Sequence, residues 1–286
     1  MVHHPRMGLL RFLTACFGVL ARGASPALLL NLTVPRSGYR IHRDLAYGEG
    51  PRHRLDLYVP ERLGGPAPVV LFFYGGGFVA GRKSEYRFLG EALASKGIIV
   101  AVADYRLYPE TIFPGFIEDG ADVLIALRKL VPQFGGDPER IFLAGHSAGA
   151  YISVMLAADP SYLRRREADE SWIRGVIGIA GVYDFPKIVT PERILIFGGA
   201  ERPETQPLKF IDGKRPPMLL AVGAKDGSLQ MSGIIALSER LRAHGSDVEE
   251  RVYPGIGHMT IMLALAPGFR RLAPLLSDIA QFIAVH

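Results

Sequence analysis

The chain has a single cysteine, Cys16, among its 286 residues. An intramolecular disulfide is therefore excluded, and no His/Cys/Asp cluster occurs at metal-ligand spacing. A phosphate-cradling lysine motif is missing too, as is a dinucleotide-type GxGxxG after a first strand. No metal and no cofactor is expected, so the chemistry must come from side chains alone. Long apolar runs are also lacking. Residues 8–20 are interrupted by Arg11 and residues 27–32 are shorter still, so neither reaches the ~20 residues that span a bilayer.

What the chain does have is 49% hydrophobic residues and 33 glycines, enough for one large core in a single α/β domain. Strand-like and helix-like segments alternate, which argues for a mostly parallel sheet covered on both faces. Strands are expected near 39–46, 53–59, 68–73, 98–103, 140–145, 174–180, 217–222 and 248–253. Helices are expected near 84–96, 115–131, 147–158, 228–243 and 267–284. Polar residues alternate along Tyr39-Arg40-Ile41-His42-Arg43-Asp44, so the first two strands read as an antiparallel edge.

The charge is unevenly placed. Residues 1–60 hold eight arginines against three acids, which accounts for the whole formal net charge of +5. Residues 1–38 form a basic N-terminal segment for which three readings stay open. It can be a pair of short helices packed on the catalytic domain, a signal peptide with Val19 and Ala21 before the cleavage point, or a peripheral contact with anionic membrane. The expected location is cytoplasmic, or exported in the second case. The run Arg164-Arg165-Arg166 is followed by Glu167, Asp169 and Glu170, a solvated face, and no nucleic-acid partner is implied.

The most informative segment is Gly145-His146-Ser147-Ala148-Gly149, between the apolar run 140–144 and the helix-like run 150–158. A serine at a sharp strand-to-helix turn takes strained backbone angles that small neighbours allow, and its hydroxyl is lifted out of the sheet edge. The helix N-terminus behind it favours developing negative charge. A second segment, Phe73-Tyr74-Gly75-Gly76-Gly77-Phe78, follows the apolar strand ending at Phe73. Its glycines leave backbone N–H groups uncovered, so the N–H groups of Gly76 and Gly77, joined by that of Ala148, are candidate oxyanion donors.

On these two motifs the chain resembles the α/β-hydrolase fold, and within it the carboxylesterases of the hormone-sensitive-lipase type. Tyr74 stands where those enzymes carry the histidine of HGGG; its hydroxyl can both donate and accept. The stretch Asp104-Tyr105-Arg106-Leu107-Tyr108-Pro109-Glu110 is also family-like, and the resemblance implies a structural role for it. The resemblance covers residues 40 to 286 and implies the chain order serine, acid, histidine. Of the eight histidines, three follow the serine. His258 lies in the glycine-rich loop after the last expected strand. His244 ends an amphipathic helix and His286 ends the chain. For the acid, Asp226 sits in the loop after the strand 217–222, whereas Asp212 precedes that strand and Asp247 starts the next. The expected triad is Ser147, Asp226 and His258.

Residues 39–286 are thus expected to form one catalytic domain with an eight-stranded, mostly parallel sheet. A small cap is expected over about 181–215, a stretch the basic fold does not require. Phe78, Tyr183, Phe185 and Phe197 are the expected pocket walls. The resemblance implies a serine carboxylesterase acting on small-molecule esters with short to medium acyl chains. An arylformamidase-like amide hydrolase and a non-catalytic binding protein with a hydrolase shell remain as alternatives.

Overall fold

A computed structural model of the chain describes residues 30–185, 188 and 190–286. Cys16, both readings that rest on residues 8–20 and most of the expected N-terminal segment lie outside the described residues. The part of that segment that is described, 30–38, packs on the domain. Asn31 donates to the Ser84 carbonyl and accepts from the Phe88 N–H, and Arg87 reaches the carbonyls of Val34 and Pro35.

Eight strands form one sheet: β1 (Tyr39–Ala46), β2 (Arg54–Pro60), β3 (Ala67–Phe73), β4 (Ile99–Ala103), β5 (Gly136–His146), β6 (Ile173–Ile179), β7 (Met218–Gly223) and β8 (Val248–Tyr253). Their order is β1-β2-β4-β3-β5-β6-β7-β8. The β1/β2 and β2/β4 pairs are antiparallel and every other pair is parallel. The antiparallel edge expected from the alternating polar residues of β1 is therefore present. The central strands β3 and β4 are almost uninterrupted apolar runs, the composition of strands covered on both faces.

The cover comes from helices α1 (Arg87–Ala94), α2 (Gly115–Leu130), α3 (Ala148–Ala158), α4 (Ser161–Arg164), α5 (Pro191–Phe197), α6 (Ser228–Ala243), α7 (Thr260–Leu263) and α8 (Leu275–Val285). Helix α1 packs with α8, and α2 packs with α3. All eleven residues of α3 are buried. Two boundaries differ from expectation by four residues or more. Strand β5 begins at Gly136, four residues early, because Gly136 pairs with Ala67 before the register shifts. The last helix begins at Leu275 instead of 267, because Pro274 at its N-cap has no N–H to donate and residues 267–272 form turns and a bend.

The chain reverses its direction of travel across the sheet between β3 and β5, since β4 lies on one side of β3 and β5 on the other. Carboxyl ends of parallel strands at such a reversal leave a crevice that no connection covers. The register places Phe73 beside Gly145, so the glycine loop after β3 and the serine turn after β5 open into the same crevice. Between β6 and β7 the chain makes the excursion expected over 181–215. It contains α5 and two short 3-10 turns, Pro203–Thr205 and Pro207–Phe210.

Candidate active site

Ser147 has φ 53° and ψ −115°, a conformation that costs a non-glycine residue free energy and is held by its surroundings. Two glycines make the turn possible. A Cβ on Gly145 would lie 2.2 Å from the Gly149 carbonyl group, and one on Gly149 would lie 1.9 Å from the Phe73 oxygen. Both are far below van der Waals contact, so strand and helix approach this closely only without side chains there. The Ser147 N–H donates to the Ile179 carbonyl at 2.9 Å, which ties the turn to β6.

Asp226 and His258 are brought to this serine from the ends of β7 and β8. The Lys225 N–H donates to the Ile256 carbonyl at 2.7 Å, which joins the two loops that carry the acid and the imidazole. His258 Nε2 lies 3.0 Å from Ser147 Oγ, and its Nδ1 lies 3.1 and 3.2 Å from the two Asp226 oxygens. The Asp226 carboxylate is 2% exposed and accepts the Gly227 N–H at 2.8 Å, so it has partners on the protein side and almost no contact with water. A carboxylate on Nδ1 leaves Nε2 unprotonated toward the serine. The residues weighed beside them lie elsewhere. Asp212 is largely exposed and paired to Arg215, Asp247 is 3.5 Å from His286, and His244 caps α6.

His146, the residue before Ser147 in the serine motif, is not one of the triad candidates. It is buried, and its Nε2 lies 3.0 Å from the His258 backbone oxygen, with the two rings 4.9 Å apart. Burial pushes its pKa down to about 4, the nearby His258 ring adds to the fall, and the hydrogen bond to the His258 carbonyl partly opposes it. A neutral imidazole donating from Nε2 satisfies that carbonyl. The spacing of the serine motif gave no sign of this contact, because the partner lies 112 residues further along the chain.

Gly76 and Gly77 are exposed at the crevice, and Ala148 is the first residue of α3, whose N–H has no acceptor inside the helix. The loop that carries the two glycines is fixed by Tyr74. Its hydroxyl donates to Asp104 Oδ1 at 2.9 Å and accepts from Arg52 Nη2 at 2.6 Å, the double use expected for a tyrosine in the histidine position. Arg52 also donates to the Gly81 carbonyl at 2.8 Å and the Tyr105 carbonyl at 2.7 Å, and Tyr105 Oη donates to the Tyr74 carbonyl at 2.7 Å. Both ends of the glycine loop are thus tied to the family-like stretch after β4. Arg106 of that stretch holds the buried Asp119 with two nitrogens, at 2.6 and 2.9 Å.

A cavity of about 90 Å³ adjoins Ser147, lined by Gly77, Phe78, Ala148, Tyr151, Val182, Phe185, Ile188, Arg193, Ile196 and Phe197. Phe78, Phe185 and Phe197 are therefore walls, and their rings pack on one another with centroids 5.4 to 5.6 Å apart for the two pairs that include Phe197. Tyr183 is a correction. It is fully buried away from the cavity, with its ring and hydroxyl against Gly178 and Gly181, where no side chain competes for the space. Tyr151 was missed, although it stands one helical turn after Ser147 and so shares its face of α3. Its hydroxyl donates to the Thr205 carbonyl at 2.7 Å and joins α3 to the excursion.

Comparison with known proteins agrees with this architecture. The chain is 31% identical over 246 residues to isoprenylcysteine alpha-carbonyl methylesterase ICME of Arabidopsis thaliana, covering 78% of this chain and 58% of that protein. It is 31% identical over 245 residues to esterase LipC of Mycobacterium tuberculosis, covering 77% and 60%. The chain thus spans little more than half the length of these curated relatives. Among solved structures, esterase B of Lactobacillus rhamnosis inhibited by a tributyrin phosphonate superposes with a TM-score of 0.76, at 20% identity and over 96% of this chain and 95% of that one. The BD-FAE family model matches residues 55–241, so this α/β-hydrolase-fold chain belongs to the BD-FAE family.

Proposed function

We propose that the chain is a serine carboxylesterase that hydrolyses small esters with short to medium acyl chains. The observation that carries the reading is the hydrogen-bonded line from Ser147 Oγ through His258 to Asp226, with distances of 3.0 and 3.1 Å. In the proposed reaction His258 Nε2 takes the hydroxyl proton as Ser147 Oγ attacks the ester carbonyl. Asp226 stabilises the imidazolium that forms. The carbonyl oxygen gains negative charge in the tetrahedral intermediate, and the N–H groups of Gly76, Gly77 and Ala148 are the donors assigned to it. Collapse of the intermediate breaks the bond to the alcohol, which leaves with the proton from His258. Water, deprotonated by the same imidazole, then attacks the acyl-serine and releases the acid.

The relatives named as esterases support this reading of the chemistry, and the 90 Å³ cavity supports the size of the acyl group. At about 30 Å³ for each water-sized group, it has room for a short chain. The test is treatment with a fluorophosphonate probe together with p-nitrophenyl butyrate. Wild type should be labelled at Ser147 and turn the ester over; Ser147→Ala should do neither while unfolding at the wild-type temperature. Labelling without turnover would support the ligand-binding alternative, and turnover by Ser147→Ala would remove the assignment of the nucleophile.

A further inference from the structure

We propose that the acyl pocket selects esters whose short acyl chain ends in an anionic group, a carboxylate above all, and that Arg193 recognises that group. The inference rests on the esterase reading of Ser147. Among the described residues that line the cavity beside Ser147, Arg193 is the only one that carries a charge; the other walls are aromatic, aliphatic or backbone. It lies on α5 with Ile196 and Phe197 three and four residues on, which is the spacing of one helix face, and all three line the cavity. Other arginines of the excursion and of α6 are committed. Arg202 is paired to Glu204 and donates to the carbonyls of Phe197 and Gly198, while Arg215 holds Asp212 and Arg240 donates to the Ile211 carbonyl. The Arg193 guanidinium has no ion pair or hydrogen bond among the described residues; only its backbone N–H is engaged, by the Thr190 hydroxyl that caps α5.

The position of the cavity decides which half of the ester meets this cation. The alcohol must leave beside His258 Nε2, which supplies its proton. Neither His258 nor Asp226 lines the cavity, whereas Gly77 and Ala148, two of the three proposed oxyanion donors, do. The cavity therefore lies on the acyl side of Ser147. An acyl group that fills it places about three water-sized groups along the aromatic walls and brings its far end to α5. A neutral chain ending there leaves the guanidinium in water. A carboxylate ending there accepts a charge-assisted, two-nitrogen contact that lysine cannot reproduce.

The test compares monoethyl succinate with ethyl pentanoate, an uncharged chain of similar length, by continuous titration of released acid. Both esters have the same unactivated alcohol. Wild type should show the higher kcat/KM on monoethyl succinate. In Arg193→Gln the succinate-to-pentanoate ratio should fall by about fivefold, the upper size expected of a solvent-exposed contact, and Arg193→Lys should lie between. The wild-type ratio should also fall in 0.5 M salt, which screens an exposed pair. Turnover of ethyl pentanoate with the same ratio in wild type and Arg193→Gln overturns this proposal alone. Turnover of neither ester by a protein that the fluorophosphonate probe leaves unlabelled overturns the esterase reading and this proposal with it.

Discussion

The imidazole of His146 holds the backbone carbonyl of His258 at 3.0 Å, so the residue before the candidate nucleophile fixes the loop that carries the candidate base. Removing the ring leaves a carbonyl without its donor and a loop free to shift. His146→Ala should therefore lower kcat by about tenfold, the size of one lost buried hydrogen bond and its unpaired acceptor, with KM nearly unchanged. His146→Gln, whose amide can still donate, should recover part of the loss. Equal kcat in wild type and the alanine variant would show that the contact does not position His258.

The same histidine makes stability depend on pH. Its pKa is held down to about 4 by burial, against 6.5 when free in the unfolded chain. Between these values the unfolded state binds a proton that the native state refuses, so stability rises with pH across the window and is lost on acidification. From pH 7 to pH 5 the wild type should lose about 2 kcal/mol more than His146→Gln. Urea unfolding of both proteins at the two pH values measures the difference, and equal losses would mean that His146 is not buried in its neutral form.

Asp226→Asn should reduce turnover by on the order of 10⁴-fold if, as in the serine-protease case, an amide at this position leaves the imidazole in the wrong tautomer. Its contact with His258 Nδ1 at 3.1 Å is the reason. Asp212→Asn, which alters only an exposed pair with Arg215, should stay within about twofold. A loss below tenfold in Asp226→Asn would place the triad acid elsewhere.

The cavity sets an upper limit on chain length. Each methylene that reaches its aromatic wall gains up to ~0.8 kcal/mol, so kcat/KM along a p-nitrophenyl series should rise from acetate to about butyrate or hexanoate. Beyond that length there is no room and the rate should fall. Phe185→Leu opens one wall at a modest cost in stability, and should move the maximum by about two carbons toward longer chains. A wild-type maximum at decanoate or beyond would contradict the narrow pocket.

Sequence alone determined those features that depend on neighbours in the chain. The strand, glycine-flanked serine and helix at 140–158 are contiguous, so steric need and hydrophobic pattern coincide in one short segment, and the turn at Ser147 follows. The chain order that the resemblance implies placed Asp226 after the apolar strand 218–223 and His258 after the strand-like 248–253, and strand ends share one edge of a parallel sheet. Only the tertiary structure decided which other side chains reach that edge. His146 finds its acceptor 112 residues away. Tyr183, aromatic and at the start of the excursion expected to cap the site, turns into a slot left by Gly178 and Gly181 and leaves the pocket to Tyr151. Arg193 is one charge among several in the sequence of the excursion, and only the folded α5 sets it on one face with Ile196 and Phe197 at the cavity. Such contacts depend on strand register and on how an excursion folds back over the sheet. Both are set by packing between distant segments, for which the local pattern of residues carries no signal.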